Sequence, residues 1–214
     1  MYTFIVNPNA KTGLGYQVWS SLEAILKEKN VNYQVFFTKY QKHATRLAQK
    51  LTQESGAKTL IVLGGDGTIN EVINGIEDLD GTVLGYIPIG SSNDFARGMG
   101  LSTDPVQALK HILSPERFTY INIGTAMYAG KTRRFAVSSG LGFDAGVCHQ
   151  VYVSKLKKLL NKLRLGKLSY AAVALQQILT MTPLKMTLTL DDNTPIELYL
   201  SLIHISEPTR HLRI

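Results

Sequence analysis

The residues best suited to chemistry are Gly64-Gly65-Asp66-Gly67-Thr68. The apolar run Thr59-Leu60-Ile61-Val62-Leu63 precedes them, and Ile69-Asn70-Glu71-Val72-Ile73-Asn74-Gly75-Ile76 follows with helical spacing. This order predicts a buried strand, a glycine turn, and a helix whose first backbone N–H groups face the turn. Those donors have no partner within the helix and the helix dipole reinforces them, so an anion such as phosphate is favoured there. An aspartate in the same turn would repel phosphate. A divalent cation between the two removes the conflict, and the pattern points to a metal–nucleotide site.

A second group, Gly90-Ser91-Ser92-Asn93-Asp94-Phe95-Ala96-Arg97, follows the strand-like Val83–Ile89. Its serines, Asn93 and Asp94 are good N-cap residues, so an ordinary capped helix accounts for it taken alone. In a parallel sheet, however, it falls at the same edge as Gly64–Thr68 and faces the same cleft. Asp66 and Asp94 then supply two carboxylates beside Asn93 and a hydroxyl. A third group, Asn7-Pro8-Asn9-Ala10-Lys11-Thr12-Gly13-Leu14-Gly15, follows the first strand and offers a lysine to a phosphate. It has neither the Walker order nor G-x-G-x-x-G, and by itself a plain strand-to-helix loop describes it better. Thr38 ends the second strand at the same sheet edge.

The elements that must position these groups alternate. Strands are predicted at Thr3–Val6, Val31–Phe37, Thr59–Leu63 and Val83–Ile89, and helices at Gly15–Lys29, Ala44–Leu51, Ile69–Ile76, Asn93–Met99 and Val106–Leu113. Such alternation predicts an α/β fold: an N-terminal doubly wound parallel sheet, covered on both faces, with ligands at the carboxyl ends of its strands. From about Phe118 the pattern becomes β-rich, with strands at Tyr120–Ile123, Arg134–Ser138, Leu184–Leu190 and Ile196–Leu200. Asp191-Asp192-Asn193 marks a hairpin turn between the last two. A long helix is predicted from Ser154 to about Met181. The expected organisation is a nucleotide domain over 1–118, a partial β-rich domain over 119–200, and a tail over 201–214.

Composition bounds the alternatives. With 214 residues, 44% hydrophobic and 18% charged, the chain has the make-up of a soluble globular protein. A net charge of +7 suits an anionic partner: nucleotide, nucleic acid or acidic membrane. The single cysteine, Cys148, excludes an internal disulfide and fits a buried thiol in a reducing cytoplasm. Met1–Val6 lacks the basic flank of a signal segment. Tyr170–Met181, interrupted by Gln176-Gln177, falls short of the roughly 20 residues of a membrane span. The expectation is a cytoplasmic protein, soluble or peripheral at the inner membrane face. Ser154–Lys167 carries Lys155, Lys157, Lys158, Lys162, Arg164 and Lys167 around a leucine stripe. It either docks on acidic headgroups or packs its leucines inward with its lysines in solvent. Nucleic acid is not expected, because no aromatics interleave the basic cluster. His43, His111 and His149 lack metal-ligand spacing.

The tail differs from the rest. Leu200–Arg210, Leu-Ser-Leu-Ile-His-Ile-Ser-Glu-Pro-Thr-Arg, resembles the translation of a transposon-end adaptor. The expectation is that native sequence ends near Tyr199 in a C-terminally truncated frame.

Taken in order, Asn7-Pro8 with Gly13, Gly64–Val72, Pro88–Arg97 and Gly142-Phe143-Asp144-Ala145 resemble the bacterial diacylglycerol kinase catalytic family, which includes sphingoid-base kinases. The likeness spans nearly all of Met1–Tyr199. Gly-Gly-Asp-Gly-Thr is shared with NAD kinases, whereas Gly90–Arg97 selects the lipid-kinase branch. The resemblance implies an ATP-dependent lipid kinase. It places ATP against Asn7, Pro8, Asn9, Ala10, Lys11, Thr38, Gly65, Asp66, Gly67, Thr68, Ile69, Asn70, Glu71, Ser91 and Asn93. It gives Asp66 and Asp94 the catalytic and Mg²⁺-binding roles, a lipid alcohol such as diacylglycerol as acceptor, and is compatible with contact to an acidic membrane and with a homodimer. The family's general base is a glutamate late in the second domain; neither Glu197 nor Glu207 matches its motif, so the role passes to no residue here. Ser91 stands where threonine is usual and keeps the hydroxyl. Asn122 stands where aspartate is usual and loses the charge. Two alternatives remain open: another small-molecule kinase, such as an NAD kinase, and a nucleotide-binding fragment without catalysis.

Overall fold

The computed structural model describes residues 1–53, 59–143, 145–147, 182–191, 194–206 and 211–213. Strands β1 (Tyr2–Val6), β2 (Tyr33–Phe37), β3 (Thr59–Gly64) and β4 (Val83–Pro88) are mutually parallel and ordered β2-β1-β3-β4. Side chains alternate across them with the strand period of two. Ile5, Leu60, Val62, Leu84 and Tyr86 enter one core cluster, while Phe4, Val6, Ile61, Leu63 and Ile87 enter the other. Both faces are buried, which is why these strands read as continuous apolar runs.

Helices cover each face. On one side α2 (Gly15–Glu28) and α6 (Pro105–Leu113) contribute Trp19, Leu22, Leu26, Ala108 and Leu109. Trp19 meets Phe4 edge-on, with ring centroids 5.1 Å apart. On the other side α3 (His43–Gln53), α4 (Asp66–Gly75) and α5 (Asp94–Gly98) contribute Ala44, Ala48, Ile69, Val72, Ile73 and Phe95. A single turn, α1 (Ala10–Gly13), precedes α2. The doubly wound α/β arrangement is thus present in the N-terminal part. α6 starts where its sequence directs: Pro105 follows the N-cap Asp104, whose Oδ1 accepts from Gln107 N at 2.8 Å.

The later strands are β5 (Tyr120–Asn122), β6 (Gly124–Tyr128), β7 (Lys131–Phe135), β8 (Ser138–Gly142), β9 (Leu184–Leu188), β10 (Ile196–Leu200), β11 (Leu202–Ser206) and β12 (His211–Arg213). The predicted hairpin forms as β9–β10, with Leu184 opposite Leu200. The strand predicted over Arg134–Ser138 is instead the end of β7 and the start of β8, and β6, its antiparallel partner, was not foreseen. The predicted helix over Ser154–Met181 lies outside the described residues, as do Cys148, His149 and Asp144.

Two compact units result: Met1–Val137 with Glu207–Ile214, and Ser138–Ser206. β7 belongs to the first of these units and is fastened to α4. Asn74 uses its amide like a strand neighbour, accepting from Arg134 N at 2.8 Å and donating to Arg134 O at 2.9 Å. The Arg134 guanidinium in turn donates to Ile73 O and Ile76 O, carbonyls at the end of α4. Within the 201–214 segment, β11 pairs with β8, and β12 lies between β4 and β5. Among the described residues no helix is long and apolar enough to cross a membrane.

α3 and α4 approach closely at Gly75, where an added Cβ would lie 2.1 Å from Thr45 O. Gly75→Ala is expected to cost about 1–3 kcal/mol of stability by overpacking, measured as a lowered urea midpoint with an unchanged m-value.

Candidate functional site

From β1 the chain steps to β2 on one side and, through α3, to β3 on the other. The order therefore reverses between β1 and β3, and ligands of such sheets bind outside the strand carboxyl ends at that point. Asn7, Thr38, Gly65 and Gly90 sit just beyond the ends of β1, β2, β3 and β4 and line one cleft of about 470 Å³. A second hollow, about 440 Å³, adjoins Tyr2, Thr59 and Val83 at the opposite, amino ends of the strands. It lies away from the glycine turns and from every predicted site residue.

The turn after β3 is tighter than its sequence suggests. α4 begins at Asp66, not Ile69. Gly65 is the extended N-cap, and its carbonyl accepts from Thr68 N at 2.9 Å and Ile69 N at 3.1 Å. Asp66 and Gly67 thus form the first helical turn, where N–H groups lack helical acceptors. An added Cβ at Gly64 would lie 2.6 Å from Thr68 Cβ, whereas one at Gly67 would meet nothing within 4 Å. No steric demand of the fold requires a glycine at 67; its missing side chain leaves open space in the cleft.

Three further contacts lock the strand-end loops together. Asn7 Nδ2 donates to Thr68 Oγ1 at 3.0 Å, joining the loop after β1 to α4. Gly65 and Gly90 touch backbone to backbone: a Cβ on Gly90 would lie 2.8 Å from Gly65 Cα. Asp66 Oδ1 accepts from Phe95 N at 3.1 Å, so this carboxylate caps α5 from another helix. Asn93 adopts left-handed backbone (φ 55°, ψ 44°), and its Oδ1 accepts from Gly90 N at 2.7 Å. Asparagine tolerates that conformation better than most residues. Beneath the turn, the buried Tyr86 hydroxyl donates to Gly64 O at 3.2 Å. Burial pushes that hydroxyl well above the usual phenol range, and the Asp66 charge adds to the shift.

Of the expected nucleotide contacts, Asn7, Asn9, Ala10, Lys11, Thr38, Gly65, Gly67, Thr68, Glu71 and Ser91 line the cleft. The others do not. Ile69 is 2% exposed in the core, and Asn70 accepts from Asn74 Nδ2. Helix periodicity explains this: positions 67, 68 and 71 share a face, while 69 joins 72 and 73 facing the sheet. Pro8 accepts from Tyr16 N, and Asn93 is engaged with Gly90. Asp66 and exposed Asp94 begin adjacent helices joined by the Asp66–Phe95 bond. Glu71 lines the cleft, but its Oε1 accepts from Lys42 N at 2.9 Å. Asn122 lies in β5, opposite His211. Gly90, from the second glycine-containing group, also lines the cleft, as do Lys39, Tyr40 and Gln41, which were missed. The placement of Thr38 at the sheet edge was the signal for the three residues that follow it.

Among the described residues no three carboxylate, imidazole or thiol groups gather to cage a metal. Mg²⁺ held by one or two carboxylates plus phosphate oxygens needs no such cage. Asp66 and Asp94 place two carboxylates, the donor type such an ion takes, at the first positions of adjacent helices.

A glycine-lined cleft at a switch point, with a helix N-terminus opening into it, belongs to the phosphate-binding α/β class. Residues 1–125 match the diacylglycerol kinase catalytic domain, and the chain belongs to that family. It is 34% identical over 197 residues to a Bacillus subtilis protein named "Putative lipid kinase YtlR", covering 89% of this chain and 63% of that protein. A shorter match, 44% over 71 residues, covers 30% of this chain and 23% of the B. subtilis protein named diacylglycerol kinase. The crystal structure of a Bacillus anthracis diacylglycerol kinase superposes with a TM-score of 0.65 at 25% identity, covering 98% of this chain and 65% of that one. The chain thus spans about two thirds, or less, of the length of these relatives.

Tyr86→Phe removes one hydrogen bond and is expected to cost about 1 kcal/mol at neutral pH. Below the ordinary phenol pKa of about 10 the hydroxyl is neutral in both states. Above it the unfolded chain ionises first, so native stability falls as pH rises. Denaturant titrations at rising alkaline pH should show a shallower decline in the phenylalanine variant.

Proposed function

We propose that the chain is the nucleotide-binding part of an ATP-dependent lipid kinase, which transfers the γ-phosphoryl group to a lipid hydroxyl such as that of diacylglycerol. The observation that carries this reading is the convergence of four strand-end loops on open space in front of Gly67 at the α4 N-terminus. Family membership supports the same reading.

In this account the first-turn N–H groups of α4 hold phosphate oxygens, and Ser91 and Thr68 offer hydroxyls beside them. Lys11 and Lys39 bring positive charge to the same cleft. Asp66 and Asp94 would hold Mg²⁺, which when bound supplies charge neutralisation at the phosphates. Asp66 also keeps α5 seated, so loss of its charge and loss of its cap are separable effects. In the transfer, the bond from the γ-phosphorus to the ADP oxygen breaks. A bond to the lipid oxygen forms, and the hydroxyl proton leaves to a base that we assign to no residue of this chain. Phosphoryl transfer asks mainly for positioning and electrostatics, which a rigid set of loops provides. The net charge of +7 supports approach to an acidic membrane surface, where such an acceptor resides.

The direct test incubates the chain with ATP, Mg²⁺ and either diacylglycerol or NAD. Phosphorylated diacylglycerol supports the proposal. Phosphorylated NAD with inert diacylglycerol overturns the lipid acceptor. ATP binding without transfer to either would make this chain a binding unit alone.

Substitutions at two positions probe the site. Asp66→Asn keeps an oxygen for Phe95 N and should abolish turnover, assayed in a family-length protein, with little change in unfolding midpoint. Asp66→Ala should add a capping loss of about 1 kcal/mol. Gly67→Ala should leave stability unchanged or raise it by up to about 1 kcal/mol, since alanine favours the helix. The same change should weaken ATP binding, measured calorimetrically, because its methyl occupies ligand space.

A further inference from the structure

We propose that Tyr40 is the platform on which the nucleotide base stacks; this rests on the nucleotide reading above. The phosphate-binding features of the cleft lie around the α4 N-terminus and Ser91. The base must then lie along another wall, and the turn after Thr38 forms one. Among the described residues lining the cleft, Tyr40 is the one aromatic.

The ring is held ready by the protein. His43 stacks on it with centroids 4.6 Å apart and an interplanar angle of 27°. Arg46 donates from its guanidinium to the Tyr40 hydroxyl at 3.2 Å, and its Cζ lies 5.7 Å from the ring centroid. The turn itself is braced: Lys39 N donates to His43 Nδ1 at 3.0 Å, and Lys42 N donates to Glu71 Oε1. Glu71 lies one helical turn from Gly67, about 6 Å of rise along α4, a separation that a ribose can bridge.

Core packing does not account for this residue. Tyr40 is 51% exposed and belongs to neither buried cluster. Yet two partners restrict its side chain, so little conformational freedom is left to lose when a base arrives. Stacking on an aromatic face tolerates any base, and its loss weakens binding by about fivefold to a hundredfold.

Calorimetric titration of the chain with ATP and with inorganic tripolyphosphate, both with Mg²⁺, tests the inference. Tyr40→Leu should bind ATP about fivefold to a hundredfold more weakly, while tripolyphosphate affinity stays at the wild-type value and reports an intact fold. Tyr40→Phe, which keeps the ring, should bind both as wild type does. In the wild-type chain the adenine protons of bound ATP should shift upfield in the NMR spectrum, a readout that needs no variant. Unchanged ATP affinity in Tyr40→Leu, an equal loss for tripolyphosphate, or unshifted adenine protons would each overturn the base platform. A wild-type chain that binds no ATP would overturn the nucleotide reading, and the platform with it.

Discussion

The backbone contact between Gly65 and Gly90 is the constraint on which the site depends. It joins the ends of β3 and β4, and a Cβ on Gly90 would come within 2.8 Å of Gly65 Cα. Real Cβ atoms do not approach another carbon that closely, so a side chain there must spread the loops. With the loops in contact, Ile89 N bonds Gly64 O and Asn93 turns its amide oxygen back to Gly90 N. The first turns of α4 and α5 then come near enough for Asp66 to cap α5. One close approach of two glycines thereby brings two helix N-termini together and places the Asp66 carboxylate on α5.

The sheet converts that local contact into a cleft. Parallel strands bring every βα loop to one edge, and the order β2-β1-β3-β4 opens a crevice beside β1. Both faces of the sheet are dry and packed, so the loops rest on a rigid base while their tips stay exposed. At its far end α4 is held by Asn74 and Arg134, which fasten it to the β6–β7 hairpin. The helix that opens on the cleft is therefore tied at both termini.

Much of this was legible from residue order. Alternating apolar runs and glycine turns located the four parallel strands to within about two residues, because a strand buried on both faces leaves a continuous apolar signature. The motif Gly64–Thr68 marked the cleft because Gly67 leaves open space beside the backbone and a helix begins there. What was not legible depended on contacts distant in sequence. A stretch read as one linear motif becomes a helix whose successive residues point to different sides, so Gly67, Thr68 and Glu71 face the cleft while Ile69 turns into the core. The capping bond from Asp66 to Phe95 spans 29 positions and has no local signature. Tyr40 carries no motif; only the folded turn beside Glu71 brings it to the lining of the cleft. The Asn74–Arg134 pairing that fastens β7 to α4 joins residues 60 positions apart and likewise has no local signature.

The central claim is that one nucleotide occupies the cleft shared by four strand-end loops. Its most direct test is a titration of the isotope-labelled chain with Mg²⁺-ATP, followed by amide NMR. The account predicts saturable shifts concentrated at Asn9, Lys39, Gly67 and Ser91, one from each loop, with the amides of Tyr2, Thr59 and Val83 at the opposite sheet edge unmoved. Shifts centred on that opposite edge, or none at all at saturating ATP, would contradict it.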